Sequence, residues 1–182
     1  MKITAGSLKN RKITTPKGEK TRPTPSKVRE AIFNICQSKT IDARFLDLFS
    51  GTGIMSFEAL SRGAVSSLLI DNSREAKRCI LQNIEALSLQ GQAAFQFGDV
   101  LKLLEKMAVK KEFDIIYADP PYGKGIGEKL LRLIDGSPLL APGGLLFIEE
   151  GDEIVSENLK TLTLVDVRTY GKSKLHRFER IA

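Results

Sequence analysis

The chain has 182 residues, 42% of them hydrophobic and 27% charged. This is the composition of a globular domain, which excludes a disordered or fibrous chain, and at this length about 70% of the unfolded surface is buried without disulfides or metal. The net charge of +6 is concentrated at one end. Residues 1–29 carry nine bases (Lys2, Lys9, Arg11, Lys12, Lys17, Lys20, Arg22, Lys27 and Arg29) against Glu19, and the remaining 153 residues sum to −2.

The basic segment also holds Gly6, Gly18, Pro16, Pro23 and Pro25, and it alternates like a hairpin, Lys2-Ile3-Thr4-Ala5 against Arg11-Lys12-Ile13-Thr14. A shaped basic surface fits a polyanion, and nucleic acid is favoured over a membrane because no strongly amphipathic helix accompanies it. Residues 25–37 follow with Val28, Ala31, Ile32 and Ile35 at helical spacing. Then elements alternate. An apolar strand over 45–49 leads through glycines to a helix over 54–61, stopped by Gly63. A strand at 67–70 ends at Asp71, and Ser73 caps a helix to Leu87 with Ala76, Ile80, Ile84 and Leu87 on one face. A strand at 93–97, a helix at 100–107, a strand at 113–118, a helix at 127–133 and a strand at 145–148 complete the alternation, with Pro142-Gly143-Gly144 read as a turn. The tail, 162–168 and 174–181, alternates as an antiparallel pair does. Strand–helix alternation predicts an α/β fold with a mostly parallel sheet, whose ligand lies beyond the carboxyl ends of the strands.

Apolar runs such as 144–148 are far shorter than the roughly 20 residues of a membrane span, and the first residues show no secretory pattern. Cys36 and Cys79 lack CxxC spacing and His176 is the one histidine, so a zinc site is not expected, and reduced thiols point to the cytoplasm. The absence of an interface helix predicts a monomer. His176 reads as a surface residue without a role, and Tyr170-Gly171 as the turn between the last two strands.

Acids stand at the ends of the predicted strands. Asp47-Leu48-Phe49-Ser50-Gly51-Thr52-Gly53 is a strand entering a glycine turn, where backbone can approach a ligand closely. Asp71, at the end of the next strand, can accept two ribose hydroxyls. Asp99 follows the third strand and can receive an adenine amine. In a dinucleotide fingerprint the third position would be Ser56, where Gly or Ala is usual, so a nicotinamide oxidoreductase fits poorly. Asp119-Pro120-Pro121-Tyr122 is a rigid corner: each proline restricts the residue before it, Asp119 and a free carbonyl can hold an amino group, and Tyr122 offers a stacking face.

These motifs, in this order, resemble those of class I S-adenosylmethionine-dependent methyltransferases. More narrowly the chain resembles the bacterial small-subunit (16S) ribosomal RNA guanine-N2 methyltransferases, through Ile3-Thr4-Ala5-Gly6 with Arg11-Lys12, Arg22-Pro23-Thr24, Val28-Arg29-Glu30-Ala31-Ile32-Phe33-Asn34, Glu58-Ala59-Leu60-Ser61-Arg62-Gly63-Ala64 and Tyr170-Gly171. Ser50, Thr52, Ser56 and Lys27 depart from the residues common there. The resemblance implies a Rossmann-like, seven-stranded, mostly parallel sheet with an antiparallel C-terminal strand. It further implies a basic hairpin and helix at 1–40 before a methyltransferase domain at 41–182. It implies S-adenosylmethionine held by Asp47, Ser50, Gly51, Gly53, Asp71, Asn72, Asp99, Val100 and Asp119, and leaving as S-adenosylhomocysteine. Chemistry falls to Asp119, Pro120, Pro121 and Tyr122, and RNA contact to Arg11, Lys12, Arg22, Lys27 and Arg29, with Arg22 and Arg29 lining the mouth. The implied partner is 16S rRNA in an assembling small subunit.

Other readings remain at this point. Adenine-N6 DNA methyltransferases share the corner but carry a target-reading insert for which the spacing leaves little room. A glutamine-N5 protein methyltransferase would carry Asn at 119. A nucleic-acid-binding module that has lost catalysis would not need the intact corner.

Overall fold

The computed structural model describes residues 1–15, 24–107 and 112–181. In chain order the elements are α1 (Ser26–Cys36), a short 3-10 turn (Gln37–Thr40), β1 (Arg44–Leu48), α2 (Ile54–Ser61), β2 (Ser66–Asp71), α3 (Arg74–Ala86), β3 (Ala93–Phe97), α4 (Val100–Met107), β4 (Phe113–Ala118), α5 (Ile126–Ile134), β5 (Leu140–Glu150), β6 (Leu162–Tyr170) and β7 (Ser173–Arg180). The strands form one seven-stranded sheet in the order β3-β2-β1-β4-β5-β7-β6. The first five pair in parallel, while β7 runs antiparallel to both β5 and β6.

Alternation along the strands assigns the two faces. Phe45, Tyr117 and Phe147 point to one side, where Val28, Ile32, Phe57 and Ile80 of α1, α2 and α3 cover them. Leu46, Leu48, Ile116 and Ile148 point to the other, beneath Val100 and Leu104 of α4 and Leu130, Leu131 and Ile134 of α5. The strand sides are therefore apolar on both faces, as a parallel sheet between two helical layers requires. Chain order reverses between β1 and β4, which leaves a crevice above their carboxyl ends.

The N-terminal segment doubles back as the alternation predicts: Lys2 bridges Lys12 in antiparallel fashion, Ile3 N donates to the Arg11 carbonyl at 3.1 Å and Ile13 N to the Met1 carbonyl at 3.0 Å. Its backbone also bonds α2: Ser7 N donates to the Ser61 carbonyl at 2.8 Å, and Thr4 N to Glu58 Oε1 at 2.9 Å. Gly6 makes this approach possible, since a Cβ there would stand 1.8 Å from the Ser61 carbonyl oxygen. One expectation of the fold needs correction: Pro142-Gly143-Gly144, read as a turn, lies inside β5. The ladder passes from Phe113–Leu140 to Ile115–Leu145, so the extra β5 residues bulge out, with Gly143 at a φ of 71°.

Candidate active site

Above the crevice lies a cavity of about 680 Å³, within the range of small-molecule sites. The turn from β1 into α2 forms its floor. Gly51 and Gly53 take φ values of 51° and 76°, and Phe49 takes 58°, a left-handed geometry that costs roughly 1–2 kcal/mol in a residue with a side chain. Ser50 closes the turn on the neighbouring strand, its N and Oγ both donating to the Ile70 carbonyl at 3.1 Å.

Asp71 ends β2 beside that turn. Its Oδ2 accepts from Gly51 N at 2.9 Å and its Oδ1 from Ser73 N at 2.7 Å, so the carboxylate is fixed in direction while retaining lone pairs. Asn72 and Val100 line the cavity with it. Asp99 lies at the rim, exposed, and accepts from Lys102 N at 3.0 Å at the start of α4. Asp47 is only 1% exposed, on the α2 side of β1. Burial pushes its carboxyl up to about 8, against the pull of Ser56, whose N and Oγ both donate to Oδ2. Ser56 therefore serves as the donor that keeps a buried acid bonded, and Ser67 Oγ donates to it in turn at 2.8 Å.

The opposite wall is the corner after β4. Asp119 N donates to the Leu48 carbonyl, joining the corner to β1. Pro120 is buried, while Pro121 and Tyr122 are open to solvent. Tyr122 is 43% exposed, and its ring forms part of the cavity wall. Burial first, then the charges of Asp119 and Glu149, hold its hydroxyl above the ordinary tyrosine value, so it stays a donor. It donates to Glu149 Oε1 at 3.1 Å.

Glu149 is a site residue that sequence reasoning missed. It is 5% exposed, lines the cavity from the end of β5, and accepts three hydroxyls: Tyr122 and Ser173 on Oε1, Tyr117 on Oε2. Tyr117 OH lies 3.2 Å from Thr24 Oγ1, which brings a residue of the basic segment into the same network. Tyr170 also lines the cavity, at the β6–β7 turn. The sequence signal was slight, two acids closing an apolar strand.

The expected RNA contacts divide. Lys12 and Lys27 are exposed, as is Arg11, which donates to the Ala86 carbonyl at the end of α3. Arg22 lies outside the described residues. Arg29 is a correction: it is 4% exposed and committed internally, to Glu58 at 3.1 Å, to the Thr24 carbonyl at 2.7 Å and to the Lys2 carbonyl at 3.1 Å. Glu58, fully buried, also accepts from Arg62 and Thr4, so a clamp between α1, α2 and the N-terminal segment occupies the place where an RNA contact was expected. His176 is likewise buried rather than on the surface, and its Nε2 accepts from Ile154 N.

The sequence profile of the family described as Conserved hypothetical protein 95 (Cons_hypoth95) matches residues 1–179. The chain belongs to that family. A Bacillus subtilis (strain 168) protein named "Putative rRNA methyltransferase YlbH" is 34% identical over 173 residues, 94% of each chain. The Escherichia coli (strain K12) "Ribosomal RNA small subunit methyltransferase D" is 30% identical over 149 residues, 82% of this chain and 74% of its own. Among solved structures, "Putative methyltransferase yhhF from Escherichia coli" superposes with a TM-score of 0.87 at 28% identity, covering 100% of this chain and 98% of that one. This Cons_hypoth95 chain thus has the class I methyltransferase fold. No helix among its described residues is long and apolar enough to cross a membrane.

Proposed function

We propose that the protein transfers a methyl group from S-adenosylmethionine to the exocyclic N2 amine of a guanine in 16S rRNA. The observation that carries this reading is one cavity holding the glycine turn and Asp71 on one wall and the Asp119-Pro120-Pro121-Tyr122 corner on the other. The names of the small-subunit rRNA relatives support the substrate class.

The cavity's donor set suits the cofactor: carboxylates for ribose and amine groups, and left-handed glycines where backbone must approach. Gly51 and Gly53 would face its amino-acid part, with Asp47, Ser50 and Asn72 shaping that floor, Asp71 its ribose, and Asp99 with Val100 its adenine. When bound, the cofactor supplies an electrophilic methyl on a sulfonium. The chain's task is then to present the acceptor nitrogen in line and dry. A guanine amine is a poor nucleophile because its lone pair is delocalised into the ring. Hydrogen bonds from that amine to Asp119 and to the Pro120 carbonyl would localise the pair towards the methyl, and the nitrogen loses its proton once methylated. A base within a helix cannot reach the cavity, so the target is unpaired or flipped and stacked on Tyr122.

Residues 1–40 act on this reading as the RNA-gripping unit, through phosphate contacts from Arg11, Lys12 and Lys27. The partner is 16S rRNA in an assembling small subunit, met by a monomer in the cytoplasm. The test is methyl-labelled donor with partly assembled small subunits from cells lacking the activity, alongside DNA and total protein. Label recovered as N2-methylguanosine at one position is the expected result. Label in DNA alone overturns the partner, and no label anywhere makes the chain a binding module.

A further inference from the structure

The cavity offers two carboxylates to an acceptor base, and the second has no role in the chemistry set out above. The β4–β5 ladder pairs Tyr117 with Phe147 and Ala118 with Ile148. Asp119 and Glu149 are the next residues along the two chains, which run about 4.8 Å apart where they pair. Both residues line the cavity, as does Tyr122, whose hydroxyl donates to Glu149.

The carboxylate of Glu149 has about four acceptor positions, and three hydroxyls fill three of them. The hydroxyls are donors held in place by other parts of the fold: Ser173 is buried in the β6–β7 turn, and Tyr117 is buried beneath α1. They fix the carboxylate's direction and leave it capacity for one more N–H. Guanine is the base whose edge sets a ring N–H beside an exocyclic amine. Adenine presents a bare ring nitrogen there, a lone pair that would face a carboxylate.

Resting on the reading of base-amine methylation above, we propose that Glu149 is the specificity-determining residue: it accepts the ring N1–H of the guanine whose N2 amine Asp119 holds. A donor–donor base edge matches two adjacent carboxylates, and an acceptor at the ring position leaves a buried lone pair opposed and unpaired, the situation in which hydrogen-bonding sites discriminate most strongly.

The experiment uses small ribosomal subunits reconstituted with rRNA that carries either guanine or 2-aminopurine at the nucleotide the protein labels. 2-Aminopurine keeps the amine to be methylated but has a bare ring nitrogen. For the wild-type protein, kcat/KM should favour guanine by about a hundredfold, within what a misplaced polar group costs a built site. Glu149→Gln should narrow that ratio to about tenfold or less, because the amide that replaces one oxygen can donate to the bare nitrogen. Equal use of both bases by the wild type overturns the proposal without recourse to any variant. So does a Glu149→Gln protein that slows equally on both, since Glu149 would then only support Tyr122. Absence of N2-methylguanosine with the wild type overturns the base-amine reading itself, an outcome distinct from the other two.

Discussion

Asp71 and Asp119 both line one cavity, in different surroundings. Asp71 is locked by two backbone donors beside the glycine turn. Asp119 sits where β4 breaks into two prolines and its backbone still reaches β1. Replacing each should separate donor binding from transfer. Asp119→Ala is expected to lower the methyl-transfer rate by about a hundredfold or more, the scale of losing a positioned group in a dry site, while calorimetry with S-adenosylmethionine shows affinity within about threefold of wild type. Asp71→Ala should instead weaken that affinity by about tenfold, the worth of roughly one hydrogen bond to a charged group. Unchanged affinity would remove Asp71 from ribose binding. Both acids were legible in the sequence because each ends an apolar strand at a chain-breaking or capping signal. Glu149 was not, since its meaning depends on hydroxyls 24 to 32 residues away in the chain. Arg29 was misread for a related reason: a base within a basic segment looks exposed until the fold supplies Glu58.

At the scale of elements, the segment before α1 is held to the body by α2. Glu58 accepts from Thr4, Arg29 and Arg62, Ser61 accepts from Ser7 N and donates to the Ala5 carbonyl, and Arg62 lies 4.5 Å over the Phe33 ring. The close approach at Gly6 is the weak point of this joint. Gly6→Ala requires a Cβ within the Ser61 backbone and at a φ of 82°, so it should destabilise the protein by about 1–3 kcal/mol. Limited proteolysis should cut near residue 10 before the sheet opens, and a cleavage pattern identical to wild type would show that the joint is dispensable. The order of elements from α1 to β7 was legible from hydrophobic period and punctuation alone, because each strand is short, apolar and bounded by glycine, proline or an acid. The bulge in β5 was not, as its turn signal is genuine and the ladder resumes on the other side of it.

For the molecule as a whole, two buried ionisable groups bend stability in opposite directions with pH. Burial lowers the His176 value below its usual 6.5. The unfolded chain then binds a proton that the folded one refuses, so stability is present above about 6.5 and falls as pH drops below it. Asp47 is the reverse case: its proton is kept by the fold up to about 8. Its contribution is full below the ordinary carboxylate value and is lost as pH rises through the interval to about 8. Thermal melts from pH 5 to 9 should show Asp47→Asn losing less stability than wild type between pH 5 and about 8, and His176→Gln with a flatter acid side. Parallel curves for all three proteins would mean that neither group carries the pH response.

Thr14 and Thr24 tie the N-terminal segment to two different parts of the fold. Thr14 exchanges two hydrogen bonds with Asn83 of α3, while Thr24 is held by Tyr117 and Arg29. The second tie reaches further than the first, because the Tyr117 hydroxyl also donates to Glu149 in the cavity wall. A displacement at Thr24 is therefore felt two hydrogen bonds away at Glu149, so the N-terminal segment and the cavity are mechanically linked.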